Sequence, residues 1–204
     1  MSGRARRPVD ARRDEILSAT VTLIDRDGLA SVRVSDVAAE LSVSQSLVFY
    51  HFGTKDDLVA EALAHAVERD LARIDAAVAP ADPVARMRGL LKVYGPTGTA
   101  IGWRVWIDAW ALAQREPHVR SVLRRLDGRW EAALLQVVEA GVASGAFTCP
   151  DPGAAVRRTS ALLDGLSVAT LVYRTVTRTQ LRAWVAAHVA HELGVEVEVL
   201  TPAR

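Results

Sequence analysis

Residues 34–58 constrain the fold of this chain more than any other segment, and they read VSDVAAELSVSQSLVFYHFGTKDDL. Their first part is helical, because apolar side chains recur at the spacing of one helix face, at Val37, Ala38 and Leu41. Ser35 is predicted to cap this helix with its hydroxyl. The polar run Ser42-Val43-Ser44 predicts a tight turn directly after it.

A second short helix is predicted from Gln45 to Phe49. At roughly one and a half turns it is too short to be stable alone, so neighbouring helices must hold it. The side chains predicted to face inward are Val43, Val48, Phe49 and Phe52. Those predicted to face outward are Gln45, Ser46 and Tyr50. Two helices joined by such a turn form a helix-turn-helix, whose second helix enters the major groove of DNA.

The tail of this segment, FYHFGTKDDL at residues 49–58, makes the motif specific. Together with VSDVAAEL and SVSQSLV it resembles the TetR family of bacterial repressors. The resemblance is specific from Val9 to about Val67 and rests on architecture alone beyond that. This chain has Ser42 where the family usually carries glycine, and Leu41 where it usually carries a small residue. A residue other than glycine is mildly strained at a positive φ, so Ser42 marks the unusual point of the turn.

Every periodic stretch has the helical period of 3.6, and no alternating strand pattern is found. The sequence therefore predicts an all-α fold, and the resemblance implies about nine helices. We expect an N-terminal arm and three-helix helix-turn-helix DNA-binding domain over residues 1–55. A larger helical effector and dimerisation domain is expected over residues 56–204. The predicted N-caps of three later helices are Thr54, Asp151 and Thr179.

The formal net charge is only +1, so overall electrostatics do not indicate a nucleic-acid partner. The N-terminus is locally basic, however, with one acidic residue, Asp10, among five arginines: Arg4, Arg6, Arg7, Arg12 and Arg13. Such an arm can follow phosphates or enter the minor groove. The alternative is a disordered terminus that only aids solubility.

The motif predicts which residues contact double-stranded DNA. Gln45 is the candidate for base readout, since its amide can pair with an adenine edge, and Leu47 is a candidate for a thymine methyl. Tyr50 and Lys55 are the candidates for phosphate contacts. The full predicted set is Arg4, Arg6, Arg7, Arg33, Ser35, Ser44, Gln45, Ser46, Leu47, Tyr50, His51, Thr54 and Lys55.

Tryptophan is concentrated on one predicted helix of the second domain, where three of the five in the chain recur at i, i+3 and i+7. Aromatic walls suit apolar, planar or cationic ligands, and Asp108 and Glu116 could add negative charge. The predicted ligand-binding residues are Tyr94, Trp103, Trp106, Asp108, Trp110 and Trp130. The alternative is that this stripe is ordinary core packing.

Two runs of the second domain, WRVWIDAWALAQREP and RRLDGRWEAALLQVVEAGVASGAF, are similar to the effector domain of the choline- and betaine-responsive branch of the family. The similarity is one of architecture and does not name a ligand. It implies a small-molecule effector, of unknown identity, that releases the repressor from DNA.

The eighth and ninth helices are the predicted dimer interface. Small residues in the eighth allow a close approach, and Trp184 provides an aromatic anchor in the ninth. The predicted interface residues are Ala161, Gly165, Val168, Ala169, Trp184 and His188. The alternative is that both faces pack within one chain. A major-groove reader of this size normally needs two half-sites, so we expect a homodimer on a palindromic operator.

Enzymatic function is disfavoured, because the sequence has no glycine-rich phosphate loop, no paired cysteines and no serine elbow. We expect no cofactor. His188 and His191 could form half of a metal site, but no third ligand is marked by spacing. A single cysteine, Cys149, and the lack of an apolar run of roughly 18 residues predict a cytoplasmic protein without a membrane partner. A helical binding module without a DNA role is disfavoured by the motif around Tyr50.

Overall fold

The computed structural model describes residues 9–93 and 103–201. Within those ranges the chain forms ten α-helices and one 3-10 turn, Leu29–Ser31, and contains no strand. The helices are α1 Val9–Asp27, α2 Val34–Glu40, α3 Gln45–Phe52, α4 Lys55–Ala77, α5 Pro83–Val93, α6 Trp103–Ala113, α7 Pro117–Ala143, α8 Pro152–Leu171, α9 Arg178–Leu193 and α10 Val197–Leu200. The predicted all-α class is confirmed, and the short α10 is the helix beyond the nine expected.

The helices group into two compact units. The described residues of Met1–Glu68 and Arg104–Leu123 form the first, which we call the N-terminal unit. Those of Arg69–Trp103 and Arg124–Arg204 form the second, the C-terminal unit. The domain boundary after residue 55 stays a prediction.

The core of the N-terminal unit explains why its short helices are stable. Side chains from α1, α2, α3 and α4 are almost fully buried together: Ile16, Leu23, Ile24, Val37, Val48, Phe52, Leu58 and Leu63. Gly28 ends α1 with a φ of 84°, a conformation that a side chain would strain. The chain can therefore turn sharply from α1 into α2.

The C-terminal unit is built around α7, α8 and α9. Trp130 of α7 is fully buried, and its indole N–H donates to Ser160 Oγ at 3.1 Å. Gly141 lies flat against Phe147, since a Cβ at that position would fall 1.9 Å from the ring. These contacts hold the part of α7 that belongs to this unit, residues 124–143, against the chain that follows it.

Two of the four predicted helix caps are confirmed, and two were wrong. Thr54 and Asp151 cap α4 and α8 as predicted, accepting from the amides of Asp57 at 3.1 Å and Ala154 at 2.9 Å. Thr179 as a cap was wrong, because α9 begins one residue earlier, at Arg178. The cap is Thr177, which exchanges two hydrogen bonds with Gln180 in a capping box.

The cap predicted at Ser35 was also wrong. α2 begins at Val34, whose side chain is buried, so the extended residue before the helix is Arg33. Arg33 makes no side-chain cap. The Ser35 hydroxyl instead donates to Asp36 Oδ1 at 3.2 Å.

Replacing Thr177 with alanine should lower the free energy of unfolding by roughly 0.5–2 kcal/mol, because it removes the hydroxyl that accepts the Gln180 amide. Urea denaturation followed by circular dichroism measures the loss. Thr179→Ala is the matched control, since it deletes the same groups two residues later, at an exposed position. Equal losses in the two variants would contradict the assignment of the cap.

Candidate nucleic-acid interface

The turn between α2 and α3 is closed by backbone hydrogen bonds. The amide of Ser42 donates to the carbonyl of Ala39 at 3.1 Å, and that of Val43 to the carbonyl of Ala38 at 2.9 Å. Ser42 has a φ of 53°, so it occupies the left-handed position at which the sequence departs from glycine. The turn therefore forms without glycine, at some cost in backbone strain.

The second helix of the motif, α3, extends to Phe52, three residues beyond the predicted end. Ser44 caps it by accepting from the amide of Leu47 at 3.2 Å. Val48 and Phe52 are buried on one side. Their burial holds a helix of only eight residues, which would not persist alone.

The opposite side of α3 is exposed and defines what we call the reading face, formed by Gln45, Ser46, Phe49 and Tyr50. Tyr50 is 78 % exposed and Phe49 is 45 % exposed. The prediction that Phe49 faces inward was wrong. Phe49 follows Gln45 by four residues and so shares its face, whereas the inward positions are taken by Val48 and Phe52. That spacing was the signal in the sequence that could have identified Phe49.

The other residues predicted to contact DNA differ in their exposure and in their hydrogen-bond partners. Arg33 is exposed at the start of α2, while Ser35, Leu47, His51 and Lys55 are half-buried. The Thr54 hydroxyl accepts from the Asp57 amide and donates to Asp57 Oδ2 at 2.7 Å, so it is occupied by its cap. Arg4, Arg6 and Arg7 lie outside the described residues.

Two further basic residues near the N-terminus belong to α1 and have partners within the chain. Arg12 pairs with Glu15 one turn later, at 2.7 Å. Arg13 donates to the backbone carbonyl of His51 at 2.8 Å and pairs with Glu61. Neither is part of an extended arm.

The arrangement of α1 to α4 matches a known class of regulator. Residues 16–62 match the family described as bacterial regulatory proteins, tetR family. Residues 83–194 match the family described as BetI-type transcriptional repressor, C-terminal. The chain belongs to the TetR family. It is a BetI-like helix-turn-helix transcriptional repressor and not an enzyme, as the sequence predicted.

Relatives of this TetR-family repressor include regulators of known name. The HTH-type transcriptional regulator BetI of Paraburkholderia phytofirmans is 29% identical over 170 residues, covering 77% of this chain and 80% of the relative. An HTH-type transcriptional repressor of Mycobacterium tuberculosis is 34% identical over 142 residues, covering 63% and 68%. A solved transcriptional regulator from Saccharomonospora viridis, in complex with choline, has a TM-score of 0.83 at 29% identity and covers 90% of this chain and 98% of its own.

The predicted ligand-binding residues of the repressor are mostly buried. Trp103 and Trp106 are 6% and 5% exposed, and Trp110 is half-buried. Trp130 is part of the core described above, and Tyr94 lies outside the described residues. This burial is compatible with both the predicted pocket and ordinary packing.

Asp108, predicted as a source of negative charge for a ligand, has a protein partner. Its carboxylate accepts from the backbone N–H of Leu29 at 2.8 Å, next to the glycine that ends α1. This bond lies within the N-terminal unit and fixes α6 to the chain between α1 and α2. Sequence reasoning could not find it, because the partners are 79 residues apart.

The predicted dimer residues lie on one side of α8 and α9, which pack against each other. Ala161 and Gly165 are exposed, Val168, Ala169 and His188 are half-buried, and Trp184 is 48% exposed. Two large side chains not predicted, Val172 and Tyr173, extend this surface and are 52% and 71% exposed. Apart from its chain neighbours and the adjacent backbone of α8, no atom of the described residues lies within 4 Å of the position that a Gly165 Cβ would take.

The described ranges contain no group of three or more histidine, cysteine, aspartate or glutamate side chains that could hold a metal ion. His188 lies 3.9 Å from Glu192, and Glu192 pairs closely with Arg158. Of the helices seen in residues 9–93 and 103–201, none is long and apolar enough to cross a bilayer.

Asp164 of α8 is affected by the charges of two carboxylates of α7, Asp127 and Glu131. Asp164 Oδ1 is buried, and it has no hydrogen-bond partner among the described residues. Burial, together with the smaller effect of the nearby charges of Asp127 and Glu131, raises the pKa of Asp164 to about 6. Ionised Asp164 therefore destabilises the folded protein.

Replacing Asp164 with asparagine should raise the melting temperature at pH 7.5. Above pH 6 the ionised carboxylate opposes folding in full, and below about pH 4 it is neutral in both the folded and unfolded states. The gain should therefore shrink as the pH falls from 6 to 4. Thermal melts of both proteins across this range measure it, and a gain that is independent of pH would contradict the cause.

Proposed function

We propose that this repressor binds a palindromic operator as a homodimer in the cytoplasm and is released by a small organic cation of the quaternary-ammonium class. The observation that carries the effector class is the choline bound to the Saccharomonospora viridis regulator, which matches nearly the whole described fold. The BetI-type match over residues 83–194 supports the same class.

Homodimerisation is supported by two stripes of residues that are exposed or half-buried. On α8 and at the residue that ends it, Ala161, Gly165, Val168 and Val172 follow one another at i, i+4, i+7 and i+11. On α9, Trp184, Ala187, His188 and His191 follow at i, i+3, i+4 and i+7. Small residues beside one large aromatic suit the close packing of helices, and a second copy of the chain presents the complementary surface.

Sequence-specific binding is assigned to the reading face. Gln45 stands at the first position of α3, where side chains of a recognition helix reach base edges. Phe49, one turn further along the same face, is suited to a thymine methyl, a role for which the half-buried Leu47 is less well placed. Tyr50 and Lys55 contact phosphates, together with the N-terminus of α3 and the arginines before α1.

The effector site is assigned to the side of α6 that carries Trp103, Trp106 and Trp110. An indole face attracts a desolvated cation with about 2 kcal/mol, and several indoles together give selectivity for a bulky ammonium over sodium. Because Asp108 is held by Leu29, direct contact with the cation is assigned to the aromatic rings rather than to this carboxylate.

Selection of bound duplexes from random DNA, followed by release with choline, tests the whole proposal. We expect a palindrome with two half-sites about one helical turn apart, and an operator affinity that falls 5- to 150-fold at saturating choline. Sodium chloride at equal concentration is the control, because any salt weakens DNA binding. Tryptophan emission should change over the same choline range. An enriched site without symmetry would refute the dimer, and identical effects of choline and sodium would refute the effector class.

A further inference from the structure

We propose that Arg13 is a positioning residue for operator reading: from α1 it fixes the last turn of α3, and it does not contact DNA itself. The inference rests on three contacts of one guanidinium, to a backbone carbonyl, an aromatic ring and a carboxylate. All three lie within the N-terminal unit. They join α1 to both α3 and α4.

The first contact satisfies the open end of α3. The last carbonyls of a helix have no amide partner within it. At this end the carbonyl of Phe49 accepts from Gly53 and that of Phe52 accepts from Thr54, both at 2.8 Å. The carbonyl of His51 accepts from Arg13 Nη1 at 2.8 Å. A cation at a helix C-terminus is also favoured by the helix dipole.

The second contact holds the side chain that anchors α3 in the core. The guanidinium carbon of Arg13 lies 4.5 Å from the centroid of the Phe52 ring. Phe52 is 5% exposed, so the cation lies on a ring that is already fixed by the core. Backbone and anchor of the same helical turn are thus held by one group.

The third contact, an ion pair with α4, orients the guanidinium. Glu61 of α4 pairs with Arg13 Nη2 while Nη1 faces His51. A planar guanidinium can serve both partners and the ring at once because its donors diverge in fixed directions. The ion pair also offsets the charge that Arg13 would otherwise offer to phosphate.

The consequence concerns the reading face, because Phe49 and Tyr50 lie on the turn that Arg13 holds. A helix of eight residues keeps its orientation only through its neighbours. Hydrogen bonds to base edges and phosphates tolerate only a few tenths of an ångström. A small rotation of this turn therefore lowers specific binding although every contacting side chain is still present.

Binding of the full-length protein to a selected operator and to a scrambled duplex tests the inference. We expect Arg13→Ala to weaken operator binding roughly tenfold, the order of one mismatched base pair, and to leave scrambled binding and its salt dependence unchanged. Arg13→Lys should not restore affinity, since an ammonium cannot serve three partners of this geometry. Arg12→Ala removes the same charge from the neighbouring residue and should bind the operator like the wild type.

For Glu61→Gln, a purely electrostatic effect and a positioning role predict opposite changes in operator binding. Removing a negative charge strengthens DNA binding if only electrostatics matter, whereas a positioning role predicts weaker operator binding, in the direction of Arg13→Ala. Thermal melts set a temperature at which each variant is folded, and Arg13→Lys with Glu61→Gln decide the case if Arg13→Ala does not fold. Equal losses on operator and scrambled DNA, with a salt slope lower by about one, would show that Arg13 contacts phosphate and overturn the inference. Full affinity in Arg13→Lys would also overturn it.

Discussion

Glutamate in place of Gly165 is expected to convert the repressor into a monomer and to reduce operator affinity at least 100-fold, because binding to two half-sites at once is lost. The monomer itself should tolerate the change. A side chain at this point of α8 meets no neighbouring atom within 4 Å, and a helix interior gains about 0.5–1 kcal/mol when glycine is replaced. In a dimer the same carboxylate would be buried against the partner helix, which is strongly unfavourable.

Sedimentation velocity measures the oligomeric state, and operator titration measures the affinity. Gly128→Glu is the matched control, because Gly128 of α7 also has no neighbour within 4 Å and the charge change is the same. This variant should stay dimeric and bind the operator. A Gly165→Glu protein that sediments as a dimer would place the interface on another surface.

The second large effect is expected at Gln45. Alanine at this position should weaken operator binding by roughly 1–3 kcal/mol while binding to scrambled DNA is preserved, since a base contact is lost and no phosphate contact is. Gln45 is exposed at the start of α3 and has no role in the Ser44 cap. The side chain can therefore be removed without disturbing the helix.

Competition with operators altered one base pair at a time locates the contact. The variant should discriminate less at one position of each half-site and as well as the wild type at the others. Gln136→Ala, an exposed glutamine of α7, controls for loss of the amide alone. Unchanged discrimination at every position would assign base readout to other residues of the reading face.

Much of this architecture could be predicted because it is determined by residues that are close together in the sequence. The helical period, the turn at Ser42 and the caps at Thr54 and Asp151 each depend on residues within a few positions of one another. The local errors were shifts of two or three residues along the chain, or of one helix face. Burial of Val34 starts α2 before Ser35, and the spacing from Gln45 places Phe49 outside.

The contacts that organise the site could not be predicted, because they join distant parts of the chain. Arg13 and His51 are 38 residues apart, and nothing in the basic N-terminal sequence distinguishes Arg13 from an arginine that contacts phosphate. From the sequence, Asp108 was predicted to bind a ligand, whereas in the structure its carboxylate accepts from a backbone amide. The sequence shows which residues are acidic or basic, but which groups they pair with depends on how the chain packs.

The hydrogen bond between Asp108 and the Leu29 amide sets a scale for regulation. A bond from an amide to a charged carboxylate contributes about 1.5–3 kcal/mol, and coupling between effector and DNA typically amounts to about 1–3 kcal/mol. An effector that draws α6 away from Leu29 would thus break one hydrogen bond whose contribution is as large as the coupling free energy of such a response. If the proposed effector acts in this way, the response would need no large rearrangement of the core, because loss of one bond at the point where the chain leaves α1 would suffice.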